Sequence, residues 1–183
     1  MRADETPTID EAGYPVDPET GESLPIIVNR SINRHALWAA GASMIPIPMI
    51  EVVTNTTMQI HMIAQLCDHY GVKFSDQAVK AAIGTFVGVV VPVGGIGTSA
   101  YLATRSVPVL GPVLGFTTAP LLAGGMTWAI GRVFAWHFDR GGTMTDFNAE
   151  SATARFRREF EAGKRFTRQF VRNPRADTAA ASA

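Results

Sequence analysis

The chain has one cysteine, Cys67, so no disulfide can form within it, and nothing in its composition points to an oxidising compartment. Charge is almost absent from its middle: Arg105 alone is charged across residues 81–131. No Asp or Glu occurs between Asp76 and Asp139. That gap argues against a dinucleotide-binding turn at Gly95-Ile96-Gly97-Thr98-Ser99-Ala100, which would need an acid about 20 residues later to hold a ribose. There is no GxxxxGK followed by Ser or Thr, hence no phosphate-binding P-loop. The N-terminus lacks a basic n-region and an apolar h-region, which argues against a cleaved signal peptide. No nucleophile, base and orienting group recur at a recognisable spacing, so the expectation is a non-enzyme with no catalytic residue and no cofactor. His61, Asp68 and Glu51 share a polar helix face, but no His pair has HxxxH spacing. They read as a solvated or interhelical stripe, and no metal is expected.

The charge that is present is segregated. Seven acids (Asp4, Glu5, Asp10, Glu11, Asp17, Glu19 and Glu22) precede Arg30, against Arg2 alone. Seven basic residues lie between Arg155 and Arg172, against Glu159 and Glu161, while the formal net charge of the whole chain is zero. An acidic tail, an apolar body and a basic tail suit a surface-bound or partner-bound protein.

The expected architecture is all-α. Residues 1–30 are polar and proline-rich and read as a disordered acidic tail. A helical domain follows over 31–142, its first helix capped by Ser31 and stopped by Pro46 and Pro48. A second helix runs from Met49 to Tyr70, with Ile63, Cys67 and Tyr70 on its apolar face and Gly71 as a left-handed stop. Ser75 caps a third helix over 76–91. A return arm begins near Pro108 or Pro112 and ends near Phe138, before Gly141 and Gly142. Residues 143–173 form a basic amphipathic helix, and 174–183 a disordered tail. His35 and His137 close apolar runs and read as interfacial.

Residues 81–131 organise the rest. Each half is over 20 residues without a charge, and a bilayer core about 30 Å thick needs about 20 apolar residues of helix. The stretch reads as a membrane hairpin with Arg105 at its far turn. It contains ten glycines. The pairs Gly84/Gly88 and Gly111/Gly115 have the spacing that lets helix backbones meet closely in lipid, which would also allow homo-oligomers. A soluble hairpin buried against itself or a partner is the alternative. Lys73 and Lys80 before the hairpin, and Arg132 and Arg140 after it, place both flanks and both termini on the cytoplasmic side of the inner membrane.

In the C-terminal helix, Phe156, Phe160, Phe166 and Phe170 share one face with Gly163, and Arg155, Arg158, Lys164, Arg165 and Arg168 cover the rest. Such a helix either lies on anionic lipid or packs on the protein's own body or a partner. Nucleic-acid binding is not expected, since no reader motif accompanies the charge.

The run Arg34-His35-Ala36-Leu37, then Ile45-Pro46-Ile47-Pro48-Met49-Ile50-Glu51, then Gln59, Met62-Ile63 and Tyr70-Gly71 resembles the domain of unknown function 697 family over roughly 32–142. Glu51 stands where that pattern has Asp. The resemblance implies a membrane-associated bacterial protein without an established reaction, working beside a GTPase partner in trans. It marks Glu51 and Gln59 as a polar pair behind the double-proline turn. Together these observations give a non-enzymatic inner-membrane anchor, scaffold or remodelling factor, with membrane lipid and a protein as partners. The alternative is a soluble helical adaptor.

Overall fold

Helices begin and stop in this chain where capping chemistry dictates. A computed structural model describes residues 8–43, 50–93 and 110–172, with side chains throughout except at 50–55, 90–93 and 110–117. The described residues form five helices: α1 (Leu24–Ala42), α2 (Ile50–Tyr70), α3 (Asp76–Val93), α4 (Leu110–Phe138) and α5 (Thr153–Arg172). The all-α class holds among them, relieved only by two isolated bridges, Ile9 to Pro15 and Val16 to Ser23.

α2 ends as expected. Gly71 takes φ 65°, the Val72 amide donates to the Cys67 carbonyl at 2.8 Å and the Gly71 amide to Asp68 at 3.3 Å. This is the Schellman arrangement, which satisfies carbonyls the helix leaves unpaired and places glycine in the left-handed region at no steric cost. α4 ends in the same way, with Gly141 at φ 75° and the Gly142 amide on the His137 carbonyl at 3.1 Å. α3 starts after Ser75, whose hydroxyl accepts from the Ala78 amide at 3.4 Å.

The N-terminal expectation is corrected. α1 begins at Leu24, not at Ser31, with Pro25 in its first turn, where the missing amide costs nothing and φ is already helical. Residues 8–23 are not a featureless tail either. The Asp10 carboxylate accepts from the Ala12 and Tyr14 amides at 2.9 and 2.8 Å, and that of Asp17 from Glu19 and Thr20 at 2.8 and 3.0 Å. Acids that read as solvating charge thus tie two successive turns. Glu22 then pairs with Arg30 on α1. At the other end, α5 starts at Thr153; residues 143–152 form turns in which Asp146 accepts from the Thr143 amide at 2.6 Å.

α4 is the central helix and packs most extensively on α5 and α1, then on α2. Ile130, Val133 and Phe134 are fully buried against Ile32 of α1, Met62, Ile63 and Leu66 of α2, Phe86 of α3 and Phe156 of α5. Two ring stacks tie this core, Phe86 on Phe156 at 4.4 Å and Phe134 on Phe147 at 4.2 Å.

The two ends of the uncharged stretch 81–131 are therefore built into the bundle. Ala82, Ile83 and Phe86 at its start, and Ala119 onward along α4, belong to the core of the bundle. Among the described residues no helix is long and apolar enough to cross a membrane. Among the described residues, glycines outside the expected pairs also bring helices together. A Cβ at Gly84 or Gly88 would meet nothing within 4 Å among the described residues, whereas one at Gly163 would fall 2.7 Å from Trp128 Cβ and 3.0 Å from Gly125 Cα. Gly124 and Gly131 are equally crowded, by Thr167 of α5 and Ile32 of α1. Gly111 and Gly115 lie in the first turns of α4, whose surroundings are outside the described residues, as are Pro46, Pro48 and Arg105.

Candidate functional site

α5 presents two opposite faces, and the structure assigns each. Phe156, Phe160, Gly163 and Thr167 are buried against the body. Phe166 lies on Trp128 of α4 with ring centroids 4.5 Å apart, and Phe170 is half-buried. Phe156, Phe160 and Phe166 thus pack on the protein's own body, the second of the two readings of this helix. The opposite face carries Arg157, Arg158, Arg165, Arg168 and Arg172, all exposed. At 100° per residue these five fall within a single arc of about 100°. None of the five makes an ion pair among the described residues.

The remaining basic residues of α5 are engaged. Arg155 pairs with Glu159 at 3.3 Å and lies 4.8 Å over the Trp136 ring, which Arg140 covers at 4.5 Å. Burial pulls the Arg155 guanidinium below its ordinary value. Lys164 pairs with Glu161 at 2.7 Å. Beside Trp136, a small cavity of about 80 Å³ is lined by Asn29, Tyr70, Arg132 and Arg155. Tyr70 closes it by donating its hydroxyl to Asp139 at 2.9 Å, and burial with that acceptor pushes the phenol upward.

A second polar region lies between α1 and α2, a groove of about 320 Å³ lined by Arg30, Arg34, Gln65, Asp68 and His69 among others. Gln65 organises it: its Oε1 accepts from Ser31 Oγ at 3.0 Å and Arg34 Nη2 at 3.2 Å, and its amide nitrogen lies 3.1 Å from His61 Nε2. His35 sits behind, 4% exposed, with Nδ1–H donating to the Ser31 carbonyl at 2.8 Å. Burial drives its pKa below 6.5, opposed by that hydrogen bond and aided by the charges of Arg34 and His61. A neutral buried histidine contributes stability that is complete above pH 6.5 and is lost as pH falls toward the folded value. Tm is therefore expected to drop between pH 7 and pH 5, and the His35→Gln variant, which cannot titrate, is expected to show a flatter Tm profile over that interval.

Of the two residues marked as a pair, Gln59 alone has a described side chain. Gln59 is 5% exposed and donates to Thr127 Oγ1 of α4 at 3.4 Å, linking α2 to the central helix. Glu51 lies eight residues earlier, about 12 Å along the same helix, and its side chain is outside the described residues. Cys67 is buried, and burial pushes its thiol up to about 11, so it is neither a ready nucleophile nor a metal ligand. Among the described residues no group of three or more His, Cys, Asp or Glu side chains could hold a metal ion. The features with chemical capacity are binding surfaces: the arginine face of α5, the α1/α2 groove and the Trp136 cavity. Sequence reasoning named Arg158, Arg165 and Arg168, and took Arg140 only as flanking charge; it missed Trp136, whose i, i+4 spacing to Arg140 was the available signal.

The chain is 32% identical over 139 residues to Magnetosome membrane protein 22 of Magnetospirillum gryphiswaldense, a match covering 76% of this chain and 71% of that protein. No protein-family model matches the chain, so no such match stands behind the resemblance to the domain of unknown function 697 family or the GTPase partner it implied. No solved structure matches it.

Proposed function

This chain belongs to the same bacterial family as Magnetosome membrane protein 22, and on that premise we propose that it is a non-enzymatic scaffold or anchor at the face of a membrane. The observation that carries this is the division of the uncharged stretch. Its two ends are built into a folded body, and about 30 residues between Phe86 and Ala119 hold Arg105 as their one charge. Two full crossings would take about 40 apolar residues. A hairpin this short enters the bilayer from one side and returns to it, with its base locked by the bundle. Lys73, Lys80, Arg132 and Arg140 flank it, which favours the cytoplasmic face of the inner membrane for the body and both termini. A magnetosome membrane, as in the relative, is one such surface.

Alkaline carbonate washing of membranes tests the anchor. The protein is expected to stay in the pellet, and release into the supernatant would sink insertion of the hairpin. One observation favours a second reading, a soluble helical adaptor: the return arm from Ala119 onward already buries itself in the bundle. Monodisperse behaviour without detergent, together with carbonate release, would select it.

A further inference from the structure

The packing of α5 on α4 gives the arginine face a position as well as a charge. Gly124 neighbours Thr167, Gly125 neighbours Lys164 and Phe160, and Trp128 neighbours Gly163, so the two helices run antiparallel. The C-terminal end of α5 therefore points along α4 toward Leu110. At 1.5 Å per residue, α4 continues about 20 Å beyond Gly124, while α5 continues only about 7 Å beyond Thr167. The uncharged end of α4 outruns α5 by more than about 10 Å. Arg165, Arg168 and Arg172 thus stand beside the level at which that helix leaves the bundle.

We propose that the C-terminal part of the outward stripe, Arg165, Arg168 and Arg172, is a docking surface for anionic phospholipid headgroups, which fixes the body against the membrane beside its apolar hairpin. This rests on the membrane reading above. Three observations favour lipid as the occupant. Arg165, Arg168 and Arg172 stand on successive turns within about 10 Å of helix, all exposed, at the end of α5 nearest the hairpin. The stripe's one acid, Glu161, is already held by Lys164. It contains no exposed apolar side chain, whereas a protein interface needs an apolar centre and a charged headgroup layer does not. Because the phenylalanines face inward, the contact is electrostatic and shallow.

Full-length protein is floated with vesicles of phosphatidylcholine alone and with vesicles containing about one third phosphatidylglycerol, at low and high salt. The anionic vesicles are expected to bind at least about tenfold more tightly, with the preference lost at high salt, since each basic side chain near such a surface contributes a factor of about five. The R165E/R168E variant should lose most of that preference with its Tm nearly unchanged, because both side chains are exposed. A variant with all five arginines replaced by lysine should keep it. Equal binding of wild type to both vesicles, or an unaltered preference in R165E/R168E, would overturn the proposal. So would loss of vesicle binding in the lysine variant, which would mean that the contact depends on the guanidinium fork and not on the positive charge the proposal invokes. Failure of the anchor reads out separately: carbonate release of wild type removes the hairpin insertion, whereas the headgroup preference is measured on vesicles without that wash.

Discussion

Replacing Phe156 by alanine is expected to remove about 3–5 kcal/mol of stability and to lower Tm by roughly 10 °C. Phe156 is fully buried and stacks on Phe86 of α3 at 4.4 Å and on Phe160 at 6.0 Å, so its loss leaves a cavity where α3, α4 and α5 converge. The bundle around it is rigid, with Phe147 packed edge-on to Phe86 and stacked on Phe134, so little of that space can collapse. Chemical denaturation with vesicle binding measured in parallel checks the expectation. A helix that laid its phenylalanines in lipid would show the opposite pattern, with weaker vesicle binding and almost unchanged stability in detergent-free solution.

Gly163→Leu is the second large effect. A Cβ at this position would stand 2.7 Å from Trp128 Cβ and 3.0 Å from the Gly125 backbone, closer than atoms can approach, and leucine adds three further carbons. α5 must then move off α4, uncovering Phe160 and Thr167. Overpacking of this kind costs about 1–3 kcal/mol, and more where backbone is the obstacle, a Tm loss of roughly 10 °C in a chain of this size. Gly84→Ala is the matched comparison. Nothing among the described residues lies within 4 Å of its added Cβ, and alanine is the better helix former by about 0.8–1 kcal/mol, so Tm is expected to hold or rise slightly. Thermal melts of the two variants side by side separate glycines that seat a neighbouring helix from those that do not.

This contrast shows what was legible from residue order. GxxxG spacing marks a smooth helix face, yet it carries no information on whether another helix lies against it. Gly84 and Gly88 have the spacing without a neighbour among the described residues. Gly125 and Gly163 have the neighbour but sit on different helices, where no spacing rule can pair them. The stops at Gly71 and Gly141 were legible because left-handed backbone is a local demand that few residues meet. The amphipathic character of α5 was legible for the same reason, but its target was not, since an apolar face looks alike whether protein or lipid covers it. The start of α1 was misplaced because Ser31 looks like a cap, whereas Ser23 and Pro25, eight and six residues earlier, sit among acids that resemble a solvated tail. Those acids prove to be turn-formers through contacts two to four residues away. Gln59 drew notice only through the resemblance. Its actual partner, Thr127, lies 68 positions away and could not be paired by any local rule.

Pro120 is the proline inside α4, and it sits beside Ala119, where that helix enters the core. Lacking an amide, it cannot bond the carbonyl of residue 116, so the rod is most compliant at this one place. Bending strain is thereby concentrated at the rim of the bundle instead of being passed along to Phe134. In the proposed arrangement the outer turns toward Leu110 would tilt with the bilayer while the enclosed turns keep their neighbours. α4 would then act as two members joined at Pro120, one held by the bundle and one answering to the membrane.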